Sequence, residues 1–261
     1  MANFKIKQFP KTRIATIDVC AVGLKKHHIA AILEVDVTES REKIGRYKEN
    51  SRPISFTAWL IKVISGTIKD YEDVAAYFKG KRKIVVFNDI NVSIVVEKEI
   101  NGKKIPIPLI IEKANEKSLE AITWQIKEAR TRELEDKDIL LQRKPNGMER
   151  LYYFLPGYIR RLFWRYLIKN PQFAYKKMGN VAFTSVGMLG KANAWFIPIS
   201  IHPICFGVGN VLKKPMVVND KIEIREILNV TVLLDHDVGD GGLMAGFISS
   251  LSNNLEMGKE L

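Results

Sequence analysis

The sequence predicts an α/β protein in which strands and helices alternate along the chain. Residues 227–234 are rich in aliphatic and β-branched side chains, which is typical of a buried strand. After a short polar turn, Leu243, Phe247 and Leu251 recur every four residues, so a helix with an apolar face begins there. Residues 29–37 form a second strand that is also followed by a helical segment. This alternation favours a sheet covered by helices.

Two helices are predicted after the first strand. Residues 38–50 are polar and begin at Thr38, which is a good N-cap residue. Residues 55–70 carry apolar side chains at helical spacing, with Ser55 or Thr57 available as the cap. The second helix is therefore expected to be buried.

A hairpin and a third helix are predicted next. Residues 83–96 and 105–111 are rich in β-branched side chains and lie on either side of Asn101-Gly102, a strong turn signal. Residues 117–132 then have a narrow apolar stripe typical of a helix on a surface. Trp124 in this helix is expected to lie in the core or at an interface.

The segment before the final strand predicts further strands. Residues 179–190 are interpreted as a strand that runs into a Gly-x-x-Gly turn. Residues 193–201 and 204–208 are predicted as two more strands, and Gly207-Val208-Gly209 is expected to end the second.

An aromatic and basic segment, residues 134–178, interrupts the pattern. Pro156-Gly157 should break or start a helix within it. The predicted basic side of that helix holds Arg161, Arg165 and Lys169, and the opposite apolar side holds Leu155, Ile159, Leu162, Phe163 and Tyr166. Three readings stay open for residues 150–170: packing on their own domain with a solvated basic edge, contact with a membrane surface or lipid, or contact with another subunit.

Composition limits the class of protein. Lys and Arg outnumber Asp and Glu by 41 to 29, and the formal charge of +12 should attract phosphorylated molecules or anionic surfaces. The charges are spread and no nucleic-acid motif accompanies them, so no nucleic-acid partner is expected. The start of the chain has no apolar signal region and there are two cysteines, which favours a cytoplasmic protein, with peripheral membrane association left open. One domain over residues 1–261 is predicted.

Several residues that could be reactive are interpreted as structural. Cys205 lies in an apolar run with nothing nearby to lower its pKa, so an inert buried thiol is expected. His202 has no adjacent acid in the sequence. His27 and His28 point to different sides of a strand, which makes them a poor metal pair, so surface or channel-edge positions are expected for them and no metal site is predicted.

The turn between the last strand and the last helix contains the main candidate site. His236 can take a proton from a thiol or hydroxyl and return it, because its ordinary pKa is about 6.5. Asp240 follows four residues later in the same turn, and from spacing alone the pair is only suggestive. The alternatives are that His236 caps the helix or is satisfied within the turn, and that Asp240 is only a helix N-cap.

The sequence of this turn resembles the active-site signature of coenzyme-A-dependent acyltransferases. The catalytic domain of the acyltransferase in 2-oxo acid dehydrogenase complexes usually reads Asp-His-Arg-x-x-Asp-Gly. Asp235, His236, Asp240 and Gly241 match that pattern, whereas Asp237 stands where arginine is usual. The charge beside the expected base is therefore reversed. Chloramphenicol acetyltransferase is a more distant relative by the same resemblance.

A second motif extends the resemblance. The strand that ends in Thr184-Ser185 is similar to a family segment whose serine hydroxyl binds the oxyanion of the tetrahedral intermediate. Thr184 takes that place and keeps the hydroxyl, with Ser185 as a fallback. From the residues alone, both could simply end a strand.

The resemblance implies a fold, a reaction and an assembly. The implied fold is a two-layer α/β sandwich with a mixed sheet, like chloramphenicol acetyltransferase, assembled as a homotrimer with sites between subunits. The implied reaction is acyl transfer from a thioester, with coenzyme A or acyl-coenzyme A as substrate and no covalent enzyme intermediate. His236 would be the base, Thr184 the oxyanion donor, and Asp240 the residue that holds the loop, supported by Gly241 and Asp237.

The sequence has no match to the lipoyl and subunit-binding domains that precede this domain in the complexes. A free-standing catalytic domain without its own lipoyl group is therefore expected, acting on a small or carrier-bound thiol or hydroxyl acceptor. The rival interpretation is a non-catalytic assembly or a membrane-associated scaffold with a degenerate acyltransferase fold. The altered residue 237 and the aromatic insert at residues 134–178 favour this rival.

Overall fold

A computed structural model describes residues 2–10, 13–49, 53–100, 103–131, 147–185 and 192–261. The strands are β1 (His28–Asp36), β2 (Tyr77–Lys79), β3 (Lys83–Val85), β4 (Val92–Ile100), β5 (Lys103–Ile111), β6 (Val181–Ser185), β7 (Ile204–Val218) and β8 (Lys221–Asp235). The helices are α1 (Arg13–Gly23), α2 (Thr38–Glu49), α3 (Phe56–Asp70), α4 (Leu119–Thr131), α5 (Gly147–Phe154), α6 (Gly157–Lys169), α7 (Pro171–Met178) and α8 (Gly241–Glu256).

The main sheet has six described strands in the order β1-β8-β7-β6-β4-β5. Strands β4, β6 and β7 are parallel to one another, and the remaining pairs are antiparallel, so the sheet is mixed as predicted. The hairpin of β4 and β5 is confirmed, since Ile100 pairs with Lys103, although its turn lies outside the described residues.

One face of the sheet packs against helices. The main core joins the inward side chains of the strands to α3, α4 and α8, and its largest fully buried side chains include Trp59, Phe206 and Phe247. Ser55 caps α3 by accepting a hydrogen bond of 3.1 Å from the N–H of Ala58. Strand and helix layers thus form the predicted two-layer sandwich.

A second, smaller core lies under the aromatic segment. Leu167 of α6 and Ala174 of α7 pack against Val22 of α1, with Tyr77 and Ile201. No sequence pattern predicted α1, the helix on which α6 packs. Residues 134–146 lie outside the described residues.

Two strand predictions are wrong. Residues 83–96 are not one strand, because β3 pairs with β2 in a separate two-stranded sheet and only β4 joins the main sheet. Residues 193–201 form no strand but cross the outer face of the sheet, the face opposite the main core. A Cβ on Gly207 would lie 2.6 Å from the carbonyl oxygen of Phe196, so the glycine allows this close crossing.

Other boundaries also differ. Gly207-Val208-Gly209 does not end β7, which continues to Val218 through an irregularity between Val208 and Val211. Trp124 is 64% exposed, so it does not lie in the core of this chain.

Candidate active site

His236 is the first residue after β8, at the end of the sheet where β1 begins. Its backbone N–H donates a hydrogen bond of 3.0 Å to the carbonyl oxygen of His27. The side chain is exposed in the single chain. A strand on one side and α8 on the other therefore hold the backbone of this residue while its imidazole faces outward.

Asp240 holds the other end of the turn. Its Oδ1 accepts a hydrogen bond of 2.9 Å from the N–H of Leu243, and it is the N-cap of α8. The N-cap interpretation is confirmed, since the carboxylate satisfies a backbone donor that the first turn of a helix leaves free. The negative charge also suits the positive end of the helix dipole. Asp240 thus determines where the turn ends and α8 begins.

Asp235, the last residue of β8, anchors the start of the turn. Its side chain is 2% exposed and forms an ion pair with the ammonium group of Lys26. Its Oδ1 also accepts a hydrogen bond of 3.3 Å from the N–H of Asp237. Because a buried carboxylate needs a counter-charge, Lys26 and Asp235 should remain together.

Asp237 has a hydrogen-bond partner, His27, that the sequence pattern did not indicate. The Nδ1–H of His27 donates a hydrogen bond of 2.8 Å to Asp237, and this bond raises the pKa of His27. The pair is largely exposed, so its contribution to stability is small. The reversed charge next to His236 therefore has the imidazole of His27 as its hydrogen-bond partner. The sequence does contain a cue to these contacts. Lys26 and His27 are adjacent basic residues just before β1, the strand that pairs with β8.

The interpretations of His202 and Cys205 as structural residues are confirmed. His202 is buried, its Nε2–H donates a bond of 2.9 Å to the carbonyl oxygen of Met178, and burial lowers its pKa to about 4. His28, for which a surface or channel-edge position was expected, is half-buried: it donates to the carbonyl oxygen of His202 at 3.0 Å, and burial lowers its pKa. Burial raises the pKa of the Cys205 thiol to about 12, so Cys205 is not a nucleophile at neutral pH.

Thr184 lies on β6, far from His236 of the same chain. It pairs with Gly207, which pairs with Thr231 on β8. His236 is five residues beyond Thr231, which places the two side chains about 17 Å apart along the strand direction. One chain therefore does not bring the two predicted catalytic residues together.

Thr184 and Ser185 point to opposite faces of the sheet. Val181 and Phe183 belong to the main core, so the alternation of strand side chains directs Thr184 to the outer face. Ser185 faces the helix side, where it lines a small cavity of about 40 Å³ with Thr57 and Arg130. Residues 186–190, which complete the predicted Gly-x-x-Gly turn, lie outside the described residues.

The outer face that carries Thr184 has exposed apolar residues around it. These are Ile32 (54% exposed), Phe196 (44%), Ile197 (59%) and Ile199 (48%). An apolar area of this kind on one side of a sheet is typical of a surface that another molecule covers. Among the described residues, no group of three or more His, Cys, Asp or Glu side chains could hold a metal ion.

Comparison with known proteins gives the family. The model of the 2-oxoacid dehydrogenases acyltransferase catalytic domain matches residues 22–139 and 169–261. The dihydrolipoyllysine-residue acetyltransferase component of the pyruvate dehydrogenase complex of Rickettsia conorii is 23% identical over 218 residues, which is 83% of this chain and 44% of that protein. The chain thus spans about half the length of the curated relatives it matches.

Solved structures agree on the fold. The dihydrolipoamide acetyltransferase of Azotobacter vinelandii is 15% identical, with a TM-score of 0.68 over 97% of this chain and 92% of that chain. That crystal structure concerned the roles of a serine, a histidine and an asparagine in catalysis. A chloramphenicol acetyltransferase is 9% identical with a TM-score of 0.52, over 97% of this chain and 98% of that one. The chain therefore belongs to the family of 2-oxoacid dehydrogenase acyltransferase catalytic domains.

Proposed function

We propose that this chain is a coenzyme-A-dependent acyltransferase with His236 as general base and Thr184 as oxyanion donor. The imidazole of His236 takes the proton from a thiol or hydroxyl, and the resulting nucleophile attacks the carbonyl carbon of an acyl thioester. The hydroxyl of Thr184 donates a hydrogen bond to the oxyanion of the tetrahedral intermediate. When the intermediate collapses, the carbon–sulfur bond breaks and His236 returns the proton to the departing thiolate.

Residue spacing supports these roles. In the Azotobacter vinelandii protein, the histidine follows the serine by 52 residues and precedes the asparagine by four. In this chain, His236 follows Thr184 by 52 residues and precedes Asp240 by four. Threonine retains the hydroxyl of serine, and an aspartate at the third position can cap a helix as asparagine does. This agreement in spacing is the observation on which the proposal mainly depends.

The distance between Thr184 and His236 within a chain supports a site between subunits. A separation of about 17 Å along the sheet is too long for one substrate atom to contact both side chains. The exposed apolar residues beside Thr184 on the outer face are suited to contact with another copy. A homotrimer would place His236 of one chain opposite Thr184 of the next, in the cyclic arrangement that closes such an interface.

The contacts around the turn support a fixed position of the backbone that carries the base. Lys26 and His27 contact Asp235, His236 and Asp237 through an ion pair and two hydrogen bonds. Asp240 fixes the far end by capping α8. Such rigid support is what a general base needs, because small misplacements reduce proton transfer.

The substrates follow from the same chemistry. A formal charge of +12 suits the phosphates of coenzyme A, and the acceptor is a thiol or hydroxyl, either on a small molecule or on a carrier such as a lipoyl group supplied in trans. The hydrogen bond between Asp237 and His27 weakens one argument for a degenerate scaffold. The altered residue has a defined partner in the turn.

The direct test is acyl exchange between radiolabelled acyl-coenzyme A donors and a panel of thiol and hydroxyl acceptors. Transfer should fall by about 10²–10⁴ in His236→Ala. His202→Gln is a matched control, because the buried His202 is not part of the proposed mechanism. Absence of transfer with every donor and acceptor, together with no coenzyme A binding in calorimetry, would contradict the proposal and favour the scaffold.

A mixing experiment tests whether the site lies between chains. His236→Ala and Thr184→Ala are each expected to be nearly inactive. After the two variants are unfolded and refolded together, about a quarter of the interfaces should pair an intact histidine with an intact threonine, and activity should reappear to that extent. If the mixture is no more active than the separate variants, the site does not combine residues of two chains.

A further inference from the structure

The helices of residues 147–178 expose an unusual surface. On α5 and α6 the large exposed apolar side chains are Leu151 (58%), Phe154 (80%), Tyr158 (63%), Leu162 (55%), Phe163 (49%) and Tyr166 (62%). We name these six residues the aromatic face. Single exposed apolar residues are common on protein surfaces and need no explanation. Several large ones close together indicate a binding surface.

Charge distinguishes this segment from the rest of the chain. Residues 151–180 contain six Lys and Arg residues and no Asp or Glu. On α6, Arg165 and Lys169 are seven and eleven residues after Tyr158 and therefore share its side of the helix. Leu162 and Tyr166 lie on the adjoining side. The exposed surface of α6 thus has an apolar part bordered by cations.

A buried network holds the segment rigidly against the domain. Asp18 of α1 is fully buried and accepts hydrogen bonds from Arg160 at 2.6 Å and from the hydroxyl of Tyr152 at 3.0 Å. The indole N–H of Trp164 donates to the same hydroxyl at 3.0 Å. Because Arg160 and Trp164 face inward, the aromatic face must point away from the domain.

The family comparison separates this surface from the acyltransferase fold. The family model matches up to residue 139 and resumes at residue 169, so it leaves α5 and most of α6 unmatched. All six residues of the aromatic face lie in the unmatched part. Its composition is therefore not explained by the fold that the chain shares with the family.

We propose that the aromatic face docks the protein on an anionic membrane surface. Aromatic and leucine side chains bordered by Arg and Lys are the composition of helices that lie in the interfacial region of a bilayer. A symmetric contact between two copies of this face would bring cations against cations, which disfavours a second copy as the occupant. Docking differs from spanning: none of the described helices is long and apolar enough to cross a membrane.

Sedimentation of the full chain with lipid vesicles tests this inference. The chain should sediment with vesicles of equal parts phosphatidylcholine and phosphatidylglycerol, much less with phosphatidylcholine alone, and less at high salt. Arg165→Glu with Lys169→Glu should weaken binding by at least about tenfold. Phe154→Ser with Leu162→Ser should weaken it by a similar factor, because both side chains would enter the interface.

The matched control is Lys48→Glu with Lys127→Glu, which changes the net charge equally but lies on exposed parts of α2 and α4. It should retain binding within about twofold. Equal losses in this control and in Arg165→Glu with Lys169→Glu would overturn the inference, because the attraction would then come from net charge. Equal binding to neutral vesicles, or binding of an acidic protein by this face without any vesicle binding, would also overturn it. Circular dichroism confirms that each variant is folded.

Discussion

The turn around His236 and the helices of residues 147–178 differ in how their polar groups are held. The turn is fixed by short contacts to the segment that begins β1, and its outward side chain is a histidine. The helices are held through Arg160, which pairs with the buried Asp18 of α1, and their outward side chains are aromatic or leucine. The first region presents one imidazole on a firmly held backbone, whereas the second presents a broad surface. This difference is consistent with our two proposals, in which the first region serves chemistry and the second serves binding.

Among the following predictions, the largest effect is expected for Thr184, the proposed catalytic partner of the His236 turn. Thr184→Ala should lower the rate of acyl transfer by about 10²–10³, which corresponds to about 2.7–4 kcal/mol, because the oxyanion loses its donor. Thr184→Ser should retain most of the rate, since the hydroxyl is kept. Steady-state acyl exchange measures both. If Thr184→Ala is as active as the unaltered chain while Ser185→Ala is not, the donor is Ser185.

Asp18→Asn should break the attachment of the helices without affecting the turn. The substitution leaves Arg160 partly buried and without its counter-charge, so the free energy of unfolding should fall by about 3 kcal/mol. Urea unfolding measures this change. Glu226→Gln is the control, because its ion pair with Arg41 is more exposed and should contribute less than about 1 kcal/mol. Equal effects of the two substitutions would contradict the importance of the buried pair.

Asp240→Ala should have a smaller effect on stability. Loss of the N-cap bond to Leu243 should lower the free energy of unfolding by about 1 kcal/mol. Asp240→Ser should recover most of that loss, because serine is also a good N-cap. If Asp240→Ser restores stability but not acyl transfer, the carboxylate acts on the base as well as on the helix.

The smallest expected effect concerns pH. Asp237 raises the pKa of His27, so the pair contributes stability fully below the ordinary pKa of histidine, about 6.5, and loses it as the pH rises through the raised value. In Asp237→Asn this part of the pH dependence should disappear. The melting temperatures of the two proteins should therefore differ more at pH 6 than at pH 9. The opposite order would exclude the pair as the cause.

Much of the fold could be predicted from the sequence. The β1 and β8 strands, the hairpin of β4 and β5, and helices α3 and α8 follow from local patterns of apolar residues and from turn and cap residues. Residues 193–201 could not be assigned in this way, because an apolar extended segment has the same pattern whether it joins a sheet or crosses its face. Pairing with other strands decides between the two.

In the insert at residues 134–178, local sequence patterns likewise fail to determine which side of a helix is buried. The break at Pro156-Gly157 was predicted and separates α5 from α6. The helix does pack on its own domain, as one of the three interpretations held, but not through the predicted apolar side. Arg160, Trp164 and Leu167 are directed inward, whereas Leu162, Phe163 and Tyr166 are exposed. The partner Asp18 is more than a hundred residues away, and helical periodicity contains no information about it.

The sequence by itself determined the family, the class of fold and the candidates His236, Asp240 and Thr184, because motif spacing and local periodicity are properties of the chain alone. Only the tertiary structure placed Lys26 and His27 beside Asp235 and Asp237, and separated Thr184 from His236 along the sheet. Strand pairing and the burial of charges depend on residues that are distant in sequence. They are decided when the whole core forms.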